Sequence, residues 1–168
     1  ISLLLAGVEK GDEVLLPTLT FIATANAVSY CKAIPHFIDC TRDTLGIDCN
    51  KLSKYLEENT ESRDGYIYNK KTGRRISIIV PVHIFGHSAD MDELQQLSQN
   101  YNLQIVEDAA ESLGSLYKGK PLGSFGMVAA LSFNGNKIVT TGGGGAILTN
   151  NKELAKRAKH VTSTAKQP

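Results

Sequence analysis

The sequence predicts an α/β protein of three layers, a mostly parallel central sheet with helices on both faces. Three observations carry that expectation. Strand-like apolar runs alternate with helix-like patterns along the chain. The runs are nearly unbroken in Val, Ile and Leu, as in "ISIIVPVH" at 76–83, which suits strands covered on both sides. The segments between them, such as "ADMDELQQLSQNYN" at 89–102, repeat apolar residues at helical spacing.

The elements come in this order. "SLLLAGV" reads as the last turns of a helix that began earlier. "EVLLP" at 13–17 is a short strand stopped by Pro17. "TFIATANAVSYCKA" at 20–33 is a helix and "PHFIDC" at 35–40 a strand. "NKLSKYLEEN" at 50–59 sets Leu52 and Leu56 one helical turn apart, with Asn50 as its cap. The alternation then breaks. "NTESRDGYIYNKKTGRRIS" at 59–77 is polar, with turn signals at Asp64-Gly65 and Thr72-Gly73, and is expected to be an exposed β-hairpin insertion. Its "KKTGRR" cluster reads as a solvated tip in preference to a phosphate contact. After the 76–83 strand, the 89–102 helix is capped by Asp90 and presents Met91, Leu94 and Leu97 on one face. "LQIVED" at 103–108, "MVAALSF" at 127–133 and "GAILTN" at 145–150 are strands, and "NKELAKRAKHV" at 151–161 is a charged surface helix.

Bulk composition narrows the function classes. The length of 168 residues suits one domain. A net charge of +1 gives no electrostatic case for nucleic acid or a membrane surface. No apolar run approaches the roughly 20 residues of a membrane helix. Cys31, Cys40 and Cys49 form no close pair, which argues against a disulfide framework or a zinc site. They are expected to be reduced thiols of a cytoplasmic protein without a metal centre.

In open α/β sheets, ligands bind beyond the carboxyl ends of the strands. Asp108, His83, Phe21, Ser132 and Lys137 all follow or end apolar runs, so they should converge on one edge. Each has a plainer reading. Asp108 could cap a helix formed by "AAES", His83 could be a hydrogen-bonded core residue, and Phe21 could be core. Lys137 is harder to dismiss: a lysine just after a buried strand, beside "TTGGGG", is costly unless it is solvated or used. Burial favours a neutral amine, the nucleophile a Schiff base needs. The glycines permit positive φ or close approach of a cofactor. The run has neither a "GK[ST]" sequel nor the G-x-G-x-x-G spacing, so a nucleotide-phosphate loop is disfavoured. An amine paired with a carboxylate points to pyridoxal phosphate (PLP). That cofactor takes an amine for its aldehyde, a carboxylate for its pyridine nitrogen, hydroxyl donors for its phosphate and a flat side chain for its ring. Lys137, Asp108, Ser132 and Phe21 can fill those four places.

These residues sit in wording that resembles a known family. "PTLTFIATANAV", "PVHIFGHSADMDEL", "VEDAAESLGSLYKGKPLGSFG" and "SFNGNK", in this order, resemble the DegT-type nucleotide-sugar aminotransferases, which are fold type I PLP enzymes. The resemblance implies that Lys137 bonds the cofactor, Ser132 holds its phosphate, Asp108 pairs with the pyridine nitrogen and Phe21 stacks on the ring. It places His83 near the site. The position of Glu111 is often glutamine in the family and contacts the ring hydroxyl, so Glu111 is a departure. Relatives that are dehydratases replace the lysine with histidine; this chain keeps Lys137, which favours transamination. A sugar dehydratase of the same fold and a non-catalytic PLP-binding regulator are the alternatives. The resemblance further implies a nucleotide-linked keto-sugar substrate, an L-glutamate donor and a homodimer whose second subunit completes the pocket. Residues 1–168 are then a partial large PLP-binding domain, truncated at both ends. A phosphate loop is expected before Ile1 and a small C-terminal domain after Pro168. The wording of "SFNGNKIVTTGGGGAI" and the 59–77 insertion look most like the subgroup serving legionaminic-acid-type sugars.

Overall fold

The first strand, β1 (Glu13–Pro17), is buried along its whole length, so it needs cover above and below. The computed structural model, which describes residues 1–165, supplies both layers. A short helix, α1 (Ser2–Leu5), precedes β1, and α2 (Ile22–Tyr30) and β2 (Ile34–Ile38) come after it. Then come α3 (Cys49–Asn59), β3 (Thr60–Arg63), β4 (Tyr66–Asn69), β5 (Arg75–Ile79), α4 (Met91–Tyr101) and β6 (Gln104–Asp108). The chain continues through β7 (Leu116–Tyr117), β8 (Lys120–Pro121), β9 (Val128–Ser132), β10 (Gly145–Leu148) and α5 (Lys152–Thr162).

The main sheet runs in the order β10-β9-β6-β5-β1-β2. Its β2, β1, β5, β6 and β9 are mutually parallel, and β10 returns antiparallel to β9. Alternation along β1 divides the core. Leu15 joins Leu52, Leu56, Met91, Leu94, Ile79 and Ile105 beneath α3 and α4. Val14 and Leu16 face the other way, onto Leu3, Ala25, Val28, Ile78 and Val106 beside α1 and α2. Each fully buried Leu or Ile contributes about 1.5–3 kcal/mol by leaving water, so both faces of the sheet are held by apolar burial. Among the described residues no helix is long and apolar enough to cross a membrane.

Several local expectations are corrected. Asp48, two residues before Asn50, caps α3 by accepting from the Lys51 N–H at 3.0 Å. The helix at 20–33 is shorter at both ends, and the chain leaves it through Lys32 at φ 59. No helix forms at "AAES": residues 109–115 are turns, and Asp108 Oδ1 accepts from the Ala110 N–H at 3.1 Å in place of a cap. The little β7–β8 hairpin and a single 3-10 turn at Ile84–Gly86 had no signal in the apolar pattern.

The 59–77 segment forms a hairpin turning at Asp64-Gly65, but it is not simply exposed. Its strand β4 pairs antiparallel with the start of β5, Ile67 opposite Ile76. Asn69 and Thr72 donate to the buried Glu13 carboxylate at 2.8 and 2.5 Å. The basic cluster is partly consumed inside the chain. Arg75 pairs with Asp12 at 2.6 Å and Lys70 donates to the Glu58 carbonyl at 2.8 Å.

Candidate active site

The carboxyl ends of β1, β5, β6 and β9 open onto one cavity of about 460 Å³, a size ordinary for small-ligand sites. Phe21, His83, Asp108, Glu111, Ser132 and Lys137 all line it. The structure therefore brings together every residue singled out in the sequence. The topology explains why: these strands all point the same way, so the residues just past each apolar run arrive at the same edge.

Asp108 ends β6, in register with Ala130 of β9. Two donors fix its carboxylate: the Thr24 hydroxyl reaches Oδ2 at 2.6 Å and the Ala110 N–H reaches Oδ1. Thr24 lies in the first turns of α2 and accepts in turn from the Thr20 hydroxyl at 2.9 Å. Ser132 ends β9, with its Oγ 3.4 Å from the Asn134 N–H. Phe21 stands at the N-cap of α2 and is 75% exposed, which removes the core reading and puts its ring on the cavity rim.

Lys137 sits in the loop between β9 and β10, with its side chain only 13% exposed. Its Nζ donates to Glu111 Oε1 at 3.0 Å, and Glu111 Oε2 accepts from the Phe85 N–H at 3.1 Å. Base and tip of the loop are tied by Phe133 N–H to the Gly144 carbonyl and Thr141 N–H to the Phe133 carbonyl. Of the glycine run, Gly142 and Gly144 do take positive φ. The close approach is a different one from that expected: a Cβ on Gly145 would collide with the Leu131 carbonyl oxygen, so the glycine lets β10 pair tightly with β9.

His83 is both a satisfied core residue and a cavity wall. It is 1% exposed, and its Nε2 lies 3.0 Å from Glu107 Oε2. The Ala89 N–H points at Nδ1 at 3.4 Å, which makes Nδ1 the acceptor and Nε2 the donor. Glu107 also accepts from the N–H groups of Gly123, Phe125 and Gly126 at 2.7–2.8 Å. Burial pushes the Glu107 carboxyl up, but the bonds from His83, Gly126 and Gly123 outweigh it and hold the group below its ordinary value.

Glu107 and Thr24 are the residues that sequence reasoning left without a role. Glu107 carried a signal, since a carboxylate inside a buried strand requires partners. Thr24 carried a fainter one, a hydroxyl one turn after the rim aromatic. The set now comprises a sheltered amine, a carboxylate held by two donors, a serine hydroxyl and an aromatic ring around a cavity of vitamin size. These residues fit PLP: the amine suits its aldehyde and the fixed carboxylate suits its ring nitrogen.

Residues 1–167 match the DegT/DnrJ/EryC1/StrS aminotransferase family. The chain belongs to that family. It is 38% identical to GDP-perosamine synthase of Caulobacter vibrioides, over 100% of this chain and 41% of that protein. Among solved structures it resembles S. venezuelae DesV, determined in complex with a ketimine intermediate. The TM-score is 0.83 at 34% identity, covering 99% of this chain and 41% of DesV. It also resembles NtdA from Bacillus subtilis with bound cofactor PMP, at a TM-score of 0.77 and 32% identity, covering 95% of this chain and 32% of NtdA. The DegT-type fold is thus that of the fold type I PLP aminotransferases. The chain spans about two-fifths of the length of the relatives it matches, 41% of the synthase.

Proposed function

We propose that the full-length protein is a PLP-dependent aminotransferase acting on a nucleotide-linked keto-sugar, with L-glutamate as the amino donor. The observation that carries this is the placement of Lys137 and Asp108 on one cavity at the strand ends. The family and the sugar enzymes among its relatives support the substrate class.

When bound, the cofactor supplies an electron sink for amino-group exchange. The chain's own residues have separable tasks. Lys137 Nζ anchors the cofactor and, once freed, takes and returns the substrate proton as general base and acid. Asp108 holds the ring nitrogen, with its carboxylate aimed by Thr24 and Ala110. Ser132 donates to the phosphate, and Phe21 covers the ring. His83, with its ring fixed by Glu107, walls the cavity and excludes water beside Asp108. A second copy of the chain, in a homodimer, completes the pocket. The three free cysteines suit a cytoplasmic enzyme. Within the substrate class, the 132–147 wording and the 59–77 hairpin favour a legionaminic-acid-type sugar.

An absorbance scan of full-length protein, before and after L-glutamate, tests this reading. A visible cofactor band that glutamate bleaches is expected, and borohydride should fix the cofactor's mass on the wild type but not on Lys137→Ala. A colourless protein that takes up no PLP would overturn it. A band that glutamate leaves unchanged would favour a regulator, and loss of a sugar hydroxyl without gain of an amine would favour a dehydratase.

A further inference from the structure

Glu111 stands between two parts of the site. One carboxylate oxygen takes the Lys137 amine at 3.0 Å and the other takes the Phe85 backbone N–H at 3.1 Å. Phe85 belongs to an awkward turn: its φ is 52 and its residue is 77% exposed, so little packing holds it there. Its neighbour Gly86 has φ 84, and a Cβ there would lie 3.0 Å from the Glu111 carbonyl oxygen. Both the backbone and the side chain of Glu111 therefore bear on this turn.

We propose that Glu111 is a positioning residue that couples engagement of Lys137 to the Phe85 turn. The inference rests on Lys137 being the amine that bonds the cofactor. While the amine is free, one carboxylate holds both donors, parking Lys137 and bracing the turn. When Lys137 moves to a ligand, Glu111 keeps only the Phe85 N–H, and its side chain gains freedom that the turn inherits. A glutamine in the same pose cannot do this: the two donors meet different carboxylate oxygens, and an amide sets an NH2 group in place of one of them, so one donor loses its acceptor. The carboxylate is thus suited to link the two in a way the amide is not.

Amide exchange at Phe85, read in full-length protein stripped of cofactor, tests the coupling. Lys137→Met should speed that exchange about fivefold when Glu111 is present and leave it nearly unchanged in a Glu111→Gln background. Equal acceleration in both backgrounds, or none in either, overturns the coupling. Stripped Glu111→Gln protein should also take up added PLP several-fold faster, since no ion pair has to part; equal or slower uptake overturns the positioning role. Should the glutamine variant unfold, Glu111→Ala serves in the same two measurements. If the wild type takes up no PLP at all, the aminotransferase reading fails, while Phe85 exchange still decides the link between Glu111 and Lys137.

Discussion

The Thr24 hydroxyl donates a 2.6 Å hydrogen bond to Asp108 Oδ2, joining positions 84 residues apart in the chain. The bond ties the first turns of α2 to the end of β6, two of the elements that line the cavity. With the Ala110 N–H on the other oxygen, it leaves the carboxylate little rotational freedom.

Thr24→Val keeps the shape and removes the donor. A hydrogen bond to a charged group is worth about 1.5–3 kcal/mol. We expect PLP to bind stripped full-length protein about tenfold more weakly, the equivalent of about 1.4 kcal/mol. Thr24→Ser should restore most of the affinity. Absorbance titration reads both, and unchanged affinity in the valine variant would show that Thr24 does not orient Asp108.

Glu107 gives a prediction about stability and pH. Its two oxygens serve His83 and three backbone N–H groups, and an amide has only one acceptor oxygen. Glu107→Gln should therefore cost about 2–4 kcal/mol, through buried donors left unpaired. The folded-state value of this carboxyl lies below its ordinary 4.5. Its stabilisation is accordingly full above pH 4.5 and is lost as pH falls through the lower folded value. Melting temperature measured from neutral to acid pH should fall for the wild type in that window, and less for the variant. Parallel curves would sink the assignment.

The inner strands β1, β5 and β6 were legible because burial on both faces leaves an unbroken apolar run, and the convergence of Asp108 and Lys137 came from strand polarity alone. The features that escaped were decided by individual hydrogen-bond partners, near or far in sequence, that the apolar pattern does not show. "AAES" has good helical propensity, yet the Ala110 N–H is drawn to Asp108 and a turn results. Asp48 and Asn50 both offer caps, and Asp48 takes the place while Asn50 lies within the helix. The 59–77 segment is polar by composition and reads as solvated. Its Asn69 nonetheless meets the buried Glu13, 56 residues away, and no local pattern announces that need.

That contact makes the hairpin an integral part of the sheet. Glu13 is buried, and burial pushes its carboxyl up, but the bonds from Thr72, Asn69 and His36 outweigh burial and lower it. Asn69→Ala removes one donor and should cost about 1–3 kcal/mol. It should also loosen the hairpin, so that limited proteolysis cuts near Asp64-Gly65 several-fold faster than in the wild type. Lys71→Ala, at an exposed tip position, should leave the cutting rate unchanged. Equal rates for all three proteins would mean that Glu13 does not anchor the segment.

The glycine run separates two functions that composition alone merges. Gly145 pairs with Ser132, and a Cβ there would strike the Leu131 carbonyl, which belongs to the backbone and cannot turn away. Gly143 has ordinary φ, and a methyl group added there would meet nothing within 4 Å. Gly145→Ala should thus destabilise the full-length protein by about 1–3 kcal/mol, as overpacking does. Because Ser132 and the Lys137 loop hang from that pairing, the variant should also hold PLP more weakly. Gly143→Ala should change melting temperature and PLP affinity little. Equal behaviour of the two variants would mean that the run acts through loop flexibility and not through the close approach of β10 to β9.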